Sequence, residues 1–199
     1  MDKLKQIIKS NKKSIVFLLI LMIIALISGS IFNIILNDSD KQLVQESIQK
    51  FLNSFSELNT IETLKTGVIS QSIFIVILWL LGFSIIGIPI ILFSFFCKIF
   101  IIGFSISSFV SMYNFKGCLL SLTYIFPHHI INIINYGFLT IISLKVSFSL
   151  LHAIVRQRKI DFKPIINQYL LSVGVSLILG LFSIALEVYL MPILVNLVV

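Results

Sequence analysis

The chain has 199 residues, of which 58% are hydrophobic and only 12% charged. A soluble domain carries about twice that charged share, and at this size it has too little interior to hide so many apolar side chains. A water-soluble enzyme, a disordered chain and a collagen-like fibre are excluded, which leaves an integral membrane protein. The net charge of +7 does not point to nucleic acid, because the excess sits in two clusters beside apolar runs, where it acts as an orientation signal.

The first thirteen residues carry Lys3, Lys5, Lys9, Lys12 and Lys13, which holds the N-terminus in the cytoplasm. An uncharged run follows, and a spanning helix is expected near 14–36. Ser28-Gly29-Ser30 offers small residues for signal cleavage, but the apolar run continues through Ile31, Phe32, Ile34 and Ile35 and is too long for a signal peptide.

Residues 37–69 form an extracytoplasmic loop with a helix signature. Ser39 is the expected N-cap and Gln42 its capping-box partner. Val44, Ile48, Phe51, Leu52, Phe55 and Leu58 recur at helical spacing among polar residues. The plain reading is an amphipathic helix lying on lipid or on the bundle. The sharper one makes Val44, Ile48, Phe51 and Phe55 a face for an extracytoplasmic partner.

Further spans are expected near 70–94, 96–113, 130–152 and 166–190. Gly82, Gly87 and Pro89 interrupt the first of these, where a kink or break is expected. Lys98 is placed at the inner end of the third span, snorkelling to the cytoplasmic interface, and Lys145 likewise at the inner end of the fourth. The stretch 117–128, ending in Pro127, is too short to cross and suits a re-entrant half-helix. A basic cytoplasmic loop at 153–165 brings Arg156, Arg158, Lys159 and Lys163. Five spans put both basic clusters inside and the C-terminus outside. The expected fold is therefore an all-α polytopic bundle, a single domain over 1–199.

Small residues recur four apart: Ala25 and Gly29; Gly103, Ser107 and Ser111; Ser143 and Ser147; Ser172, Ser176 and Gly180. Such seams let helices approach closely, mostly within a chain, with association of two copies as the alternative. The seams at Ala25/Gly29 and at Ser172/Ser176/Gly180 are also candidate partner surfaces. Glu187, in the outer half of the last span, is expected to pair with His128, His129 or Lys116. Adjacent histidines point about 100° apart on a helix, poor geometry for a metal. No metalloprotease, nucleophile-elbow or phosphate-loop motif stands in the sequence, so no catalytic, cofactor or metal residues are expected. A permease is the alternative, with the Gly82–Pro89 break as its site.

The stretch Trp79-Leu80-Leu81-Gly82-Phe83-Ser84-Ile85-Ile86-Gly87-Ile88-Pro89-Ile90-Ile91-Leu92 resembles the signature of the stage II sporulation protein M (SpoIIM) family. Gly29 and Asn33, Lys98, Gly103-Phe104, Gly117 with Leu119-Leu120-Ser121, Pro127, Phe148-Ser149, Glu187 and Pro192 match in the same order. Ile99 departs from a glycine common in the family, and His128-His129 lacks the acidic residue that follows in wider relatives. The resemblance implies a non-enzymatic membrane scaffold of endospore formation. It would sit in the mother-cell or septal membrane and hold SpoIID-like and SpoIIP-like cell-wall hydrolases during forespore engulfment.

Overall fold

Apolar segments in lipid must satisfy their backbone N–H and C=O groups internally, which helices do. The computed structural model describes residues 12–54, 60–156, 162–190 and 193, with no strand among them. In chain order they form α1 (Lys12–Ile35), α2 (Asp38–Ser54), α3 (Thr60–Gly82) and α4 (Gly87–Leu120). A π-helical turn (Ser121–Ile125) then leads into α5 (Phe126–Arg156), and α6 (Phe162–Ala185) is extended by a second π turn through Leu190. All but α2 are long and apolar enough to cross a membrane. Even α3, with 23 residues, rises about 34 Å against a hydrocarbon core of about 30 Å. Phe17, Ile20, Ile24, Ile27 and Ile31 stay exposed along α1, a face made for lipid tails. The chain is an integral membrane helical bundle.

Two close packings organise it. α1 and α4 run parallel and cross where two glycines meet: a Cβ on Gly29 would overlap the Phe100 carbonyl, and one on Gly103 the Leu26 carbonyl. With the backbones this close, polar side chains bridge them. Ser30 Oγ donates to the Gly103 carbonyl (3.2 Å) and Ser107 Oγ to the Ser30 carbonyl (3.2 Å). Asn33 Nδ2 donates to Ser107 Oγ (3.2 Å), and Ser108 Oγ donates to Asn33 Oδ1 (3.1 Å). The second packing joins α3, α5 and α6. Asn135 Nδ2 donates to the Ser176 carbonyl (2.8 Å) while Ser176 Oγ donates to Asn135 Oδ1 (2.6 Å). Tyr169 Oη donates to the Trp79 carbonyl (2.7 Å), and Ser147 Oγ to the Gly82 carbonyl (2.9 Å). Ile75, Leu78, Ile91, Leu139 and Leu144 fill the space between α3, α4 and α5.

This pairing places the start of α1, the 83–86 turn, the end of α5 and the start of α6 at one end, which carries Lys12, Lys13 and Lys163. We call it the basic end. α2, the start of α3 and Asn114 lie at the opposite, α2 end.

Several expectations need correction. The second and third spans are divided not near residue 95 but at Phe83–Ile86, and α3 begins ten residues earlier than expected. The reversal is a tight turn in which Ser84 N–H donates to the Leu81 carbonyl (3.0 Å) and Gly87 N–H to the Ser84 carbonyl (3.1 Å). A Cβ on Gly87 would overlap the Leu81 carbonyl. Pro89 sits in the first turn of α4, where a missing N–H costs nothing, so it starts a helix and does not kink one. Lys98 consequently lies eleven residues into α4, about 16 Å along its axis, and not at a helix end.

Residues 117–128 are not a separate half-helix. The chain reverses at Asn114 (φ 51°, ψ −124°), so that Gly117 comes back against the Phe109 carbonyl. It then continues helically through the π turn into α5. Asn is among the few non-glycine residues that adopt positive φ readily. In α2, the Asn37 carbonyl already accepts from Lys41 N–H (2.9 Å), so the helix starts at Asp38 and Ser39 lies inside it.

Candidate functional site

The α2 end holds a cavity of about 760 Å³ between α3, α4, α5 and α6. Its polar lining follows from helical spacing. On α3, Glu62, Thr66 and Ser70 repeat every four residues, with Thr63, Gly67 and Gln71 beside them. On α5, His128, Asn132 and Tyr136 do the same. α4 contributes Lys98, Ile101 and Ile102, and α6 contributes Ile184 and Glu187.

The deep end is a hydrogen-bonded chain. Tyr136 Oη donates to Gln71 Oε1 (2.6 Å), and Gln71 Nε2 donates to Asn132 Oδ1 (2.9 Å). Beneath them the Phe74 and Tyr136 rings meet edge to face, with centroids 4.9 Å apart. Lys98 Nζ lies 4.5 Å from the Phe74 centroid and 5.9 Å from that of Tyr136. Ring faces attract the ammonium through their quadrupoles, worth about 0.5–2 kcal/mol. Among the described residues no carboxylate lies within ion-pair distance of Lys98. The expected snorkelling of Lys98 is thereby overturned: its side chain turns into the bundle. Tyr136 and Phe74 anchor it there.

Glu187 sits in the π turn that ends α6 and lines the same cavity as His128 and His129, whereas Lys116 lies outside it. Ser183 Oγ donates to the His128 carbonyl (3.0 Å), tying the start of α5 to α6. Among the described residues no group of three His, Cys, Asp or Glu is arranged to hold a metal.

The other sequence-marked residues are distributed as follows. Ala25 and Gly29 are buried in the α1–α4 crossing with Gly103. Ser172 and Ser176 are buried on α6, and Gly180 packs on Gln71. These seams pack against the chain's own helices. Ile48 is buried, and Val44 packs with it on the cluster that contains Phe109 and Leu120. Those two therefore anchor α2 to the bundle. The Phe51 side chain, Phe55 and Pro192 lie outside the described residues. Gly82 is buried beside Tyr169, whose hydroxyl a Cβ there would overlap, and Ser84 lies in the 83–86 turn. Pro127 occupies the first turn of α5. Cys97 and Cys118 are free thiols.

The polar cavity was not anticipated as a unit. Gln71, Asn132 and Tyr136 are uncharged, so a division of the chain by its charges passes over them. Their signal was the four-residue recurrence of polar groups inside apolar runs.

With this geometry in view, comparison with known families gives a match of residues 5–192 to the family described as Stage II sporulation protein M. Comparison with curated proteins and with solved structures gives no match.

Proposed function

The chain belongs to the stage II sporulation protein M family, and on that premise we propose that it is a scaffold of forespore engulfment. In this reading it sits in the mother-cell or septal membrane and positions peptidoglycan-degrading enzymes of the SpoIID and SpoIIP type. The observation that carries the proposal is the family match over nearly the whole of a five-span bundle. A scaffold acts by local concentration: a partner held at one membrane site meets its substrate at an effective concentration up to about millimolar.

The basic end, with Lys12, Lys13 and Lys163, faces the cytoplasm in this reading, and the α2 end faces the wall. Val44 and Ile48 hold α2 on the bundle, so partner contact falls to another side of the helix, where Leu43 is 61% exposed, with Phe51 and Phe55, later on the apolar stripe, as further candidates. The test is co-purification from sporulating cells. Leu43→Glu and Phe55→Glu are expected to weaken capture of a SpoIIP-type enzyme, and undiminished capture in both would remove α2 from the contact.

A permease is the second reading, and the polar cavity around Lys98 is what favours it. Its site would be that cavity and not the Gly82–Pro89 break, which forms a turn at the basic end. Solute flux in vesicles that contain only this chain would select it.

A further inference from the structure

We infer that the cavity at the α2 end binds a phosphate group, and that its occupant is a phosphate-bearing membrane lipid. The inference goes beyond the scaffold reading and requires no transport.

Charge at the base comes first. Lys98 is the cation of the cavity wall, it lies over two ring faces, and among the described residues no carboxylate reaches it. Ionisable groups at membrane depth are costly and pair with something. The neighbouring amides are arranged to the same end. The Gln71 oxygen is taken by Tyr136 and the Asn132 oxygen by Gln71. Each amide nitrogen has two hydrogens, so hydrogens remain on both for an acceptor. Ser70, also in the lining, adds a hydroxyl. An ammonium with amide and hydroxyl donors suits a phosphate, whose ionised oxygens take charge-assisted hydrogen bonds.

The shape of the site argues for a lipid. Ser70 of α3 and Ile101 of α4 line the cavity and are also exposed on the outside of the bundle, so its wall reaches the surface that acyl chains would cover. Its volume of about 760 Å³ suits a headgroup. Glu62 and Glu187 stand at the α2 end of the cavity, with Glu62 about 13 Å along α3 from Gln71. They would repel a small anion arriving from water. They would accept from the hydroxyls of a headgroup whose phosphate lies deeper, on Lys98.

Native mass spectrometry of the full chain in detergent micelles tests this with three probes: phosphatidylglycerol, a phosphate-free glucosyl diacylglycerol, and inorganic phosphate. The chain is expected to retain phosphatidylglycerol about tenfold better than the glycolipid. Lys98→Gln should erase that preference, and Lys116→Gln, whose lysine is exposed outside the cavity, should keep it. Asn132→Asp keeps the acceptor for Gln71 but adds a negative charge, and should also lose the preference. Equal retention of both lipids by the native chain, or a preference that survives in folded Lys98→Gln and Asn132→Asp, would overturn the site. Lys98-dependent binding of inorganic phosphate without lipid preference would overturn the lipid occupant and keep the anion site.

Discussion

Replacing Gly29 by alanine tests the α1–α4 crossing most sharply. The new Cβ would overlap the Phe100 carbonyl and stand 2.8 Å from the Phe104 nitrogen. Both are backbone atoms, so no side chain can swing aside and one helix must move. Overpacking of this kind costs about 1–3 kcal/mol. The shift also stretches the bonds of Ser30, Asn33, Ser107 and Ser108 between α1 and α4. At about 0.6 kcal/mol for each interhelical hydrogen bond in a membrane, the four add about 2 kcal/mol. The expected loss is therefore about 3–5 kcal/mol. Gly137 and Gly174 supply internal controls, since a Cβ on either meets nothing within 4 Å. Alanine there should be neutral or stabilising, up to about 1 kcal/mol from helix propensity. The assay is reversible unfolding in mixed micelles with rising SDS, followed by far-ultraviolet circular dichroism. If Gly29→Ala shifts the midpoint no more than Gly137→Ala, the close crossing is refuted.

Three further outcomes are expected. Asn135→Leu leaves the Ser176 carbonyl and hydroxyl without their buried partner and should cost about 1–3 kcal/mol in the same assay, with a cycle through Ser176→Ala reporting coupling between the two. Pro89→Ala should change stability by less than about 0.5 kcal/mol, because a first-turn proline replaces no helical hydrogen bond, and a gain near about 3 kcal/mol, the strain that an interior proline would relieve, would return Pro89 to a helix interior. Ile48→Asp should release α2 from the bundle, read as faster amide hydrogen exchange across Asp38–Ser54 with little change in α1 and α4.

The spans were legible because lipid imposes a simple condition: about twenty apolar residues without charge. The runs that became α1, α5 and α6 meet it nearly residue for residue. The division between α3 and α4 does not follow from charge, because Lys98 lies inside a helix, whereas Gly82, Gly87 and Pro89 mark the turn by their backbone chemistry. Lys98 tolerates membrane depth because two aromatic rings and a polar cavity receive it, and those neighbours come from α3 and α5, far away in sequence. The same separation hid the Gly29–Gly103 contact. Each glycine was visible in a small-residue seam, but nothing local says which seam faces which. Val44 and Ile48 show the limit of an amphipathic pattern, which marks a face that must be covered without naming the cover.

We propose that this bundle recruits cell-wall enzymes at its α2 end. The most direct measurement places a photo-activated crosslinker at Leu43, an exposed apolar residue of α2, in cells undergoing engulfment. The account predicts an adduct that contains a peptidoglycan-degrading enzyme. Adducts to lipid alone at this position would contradict it.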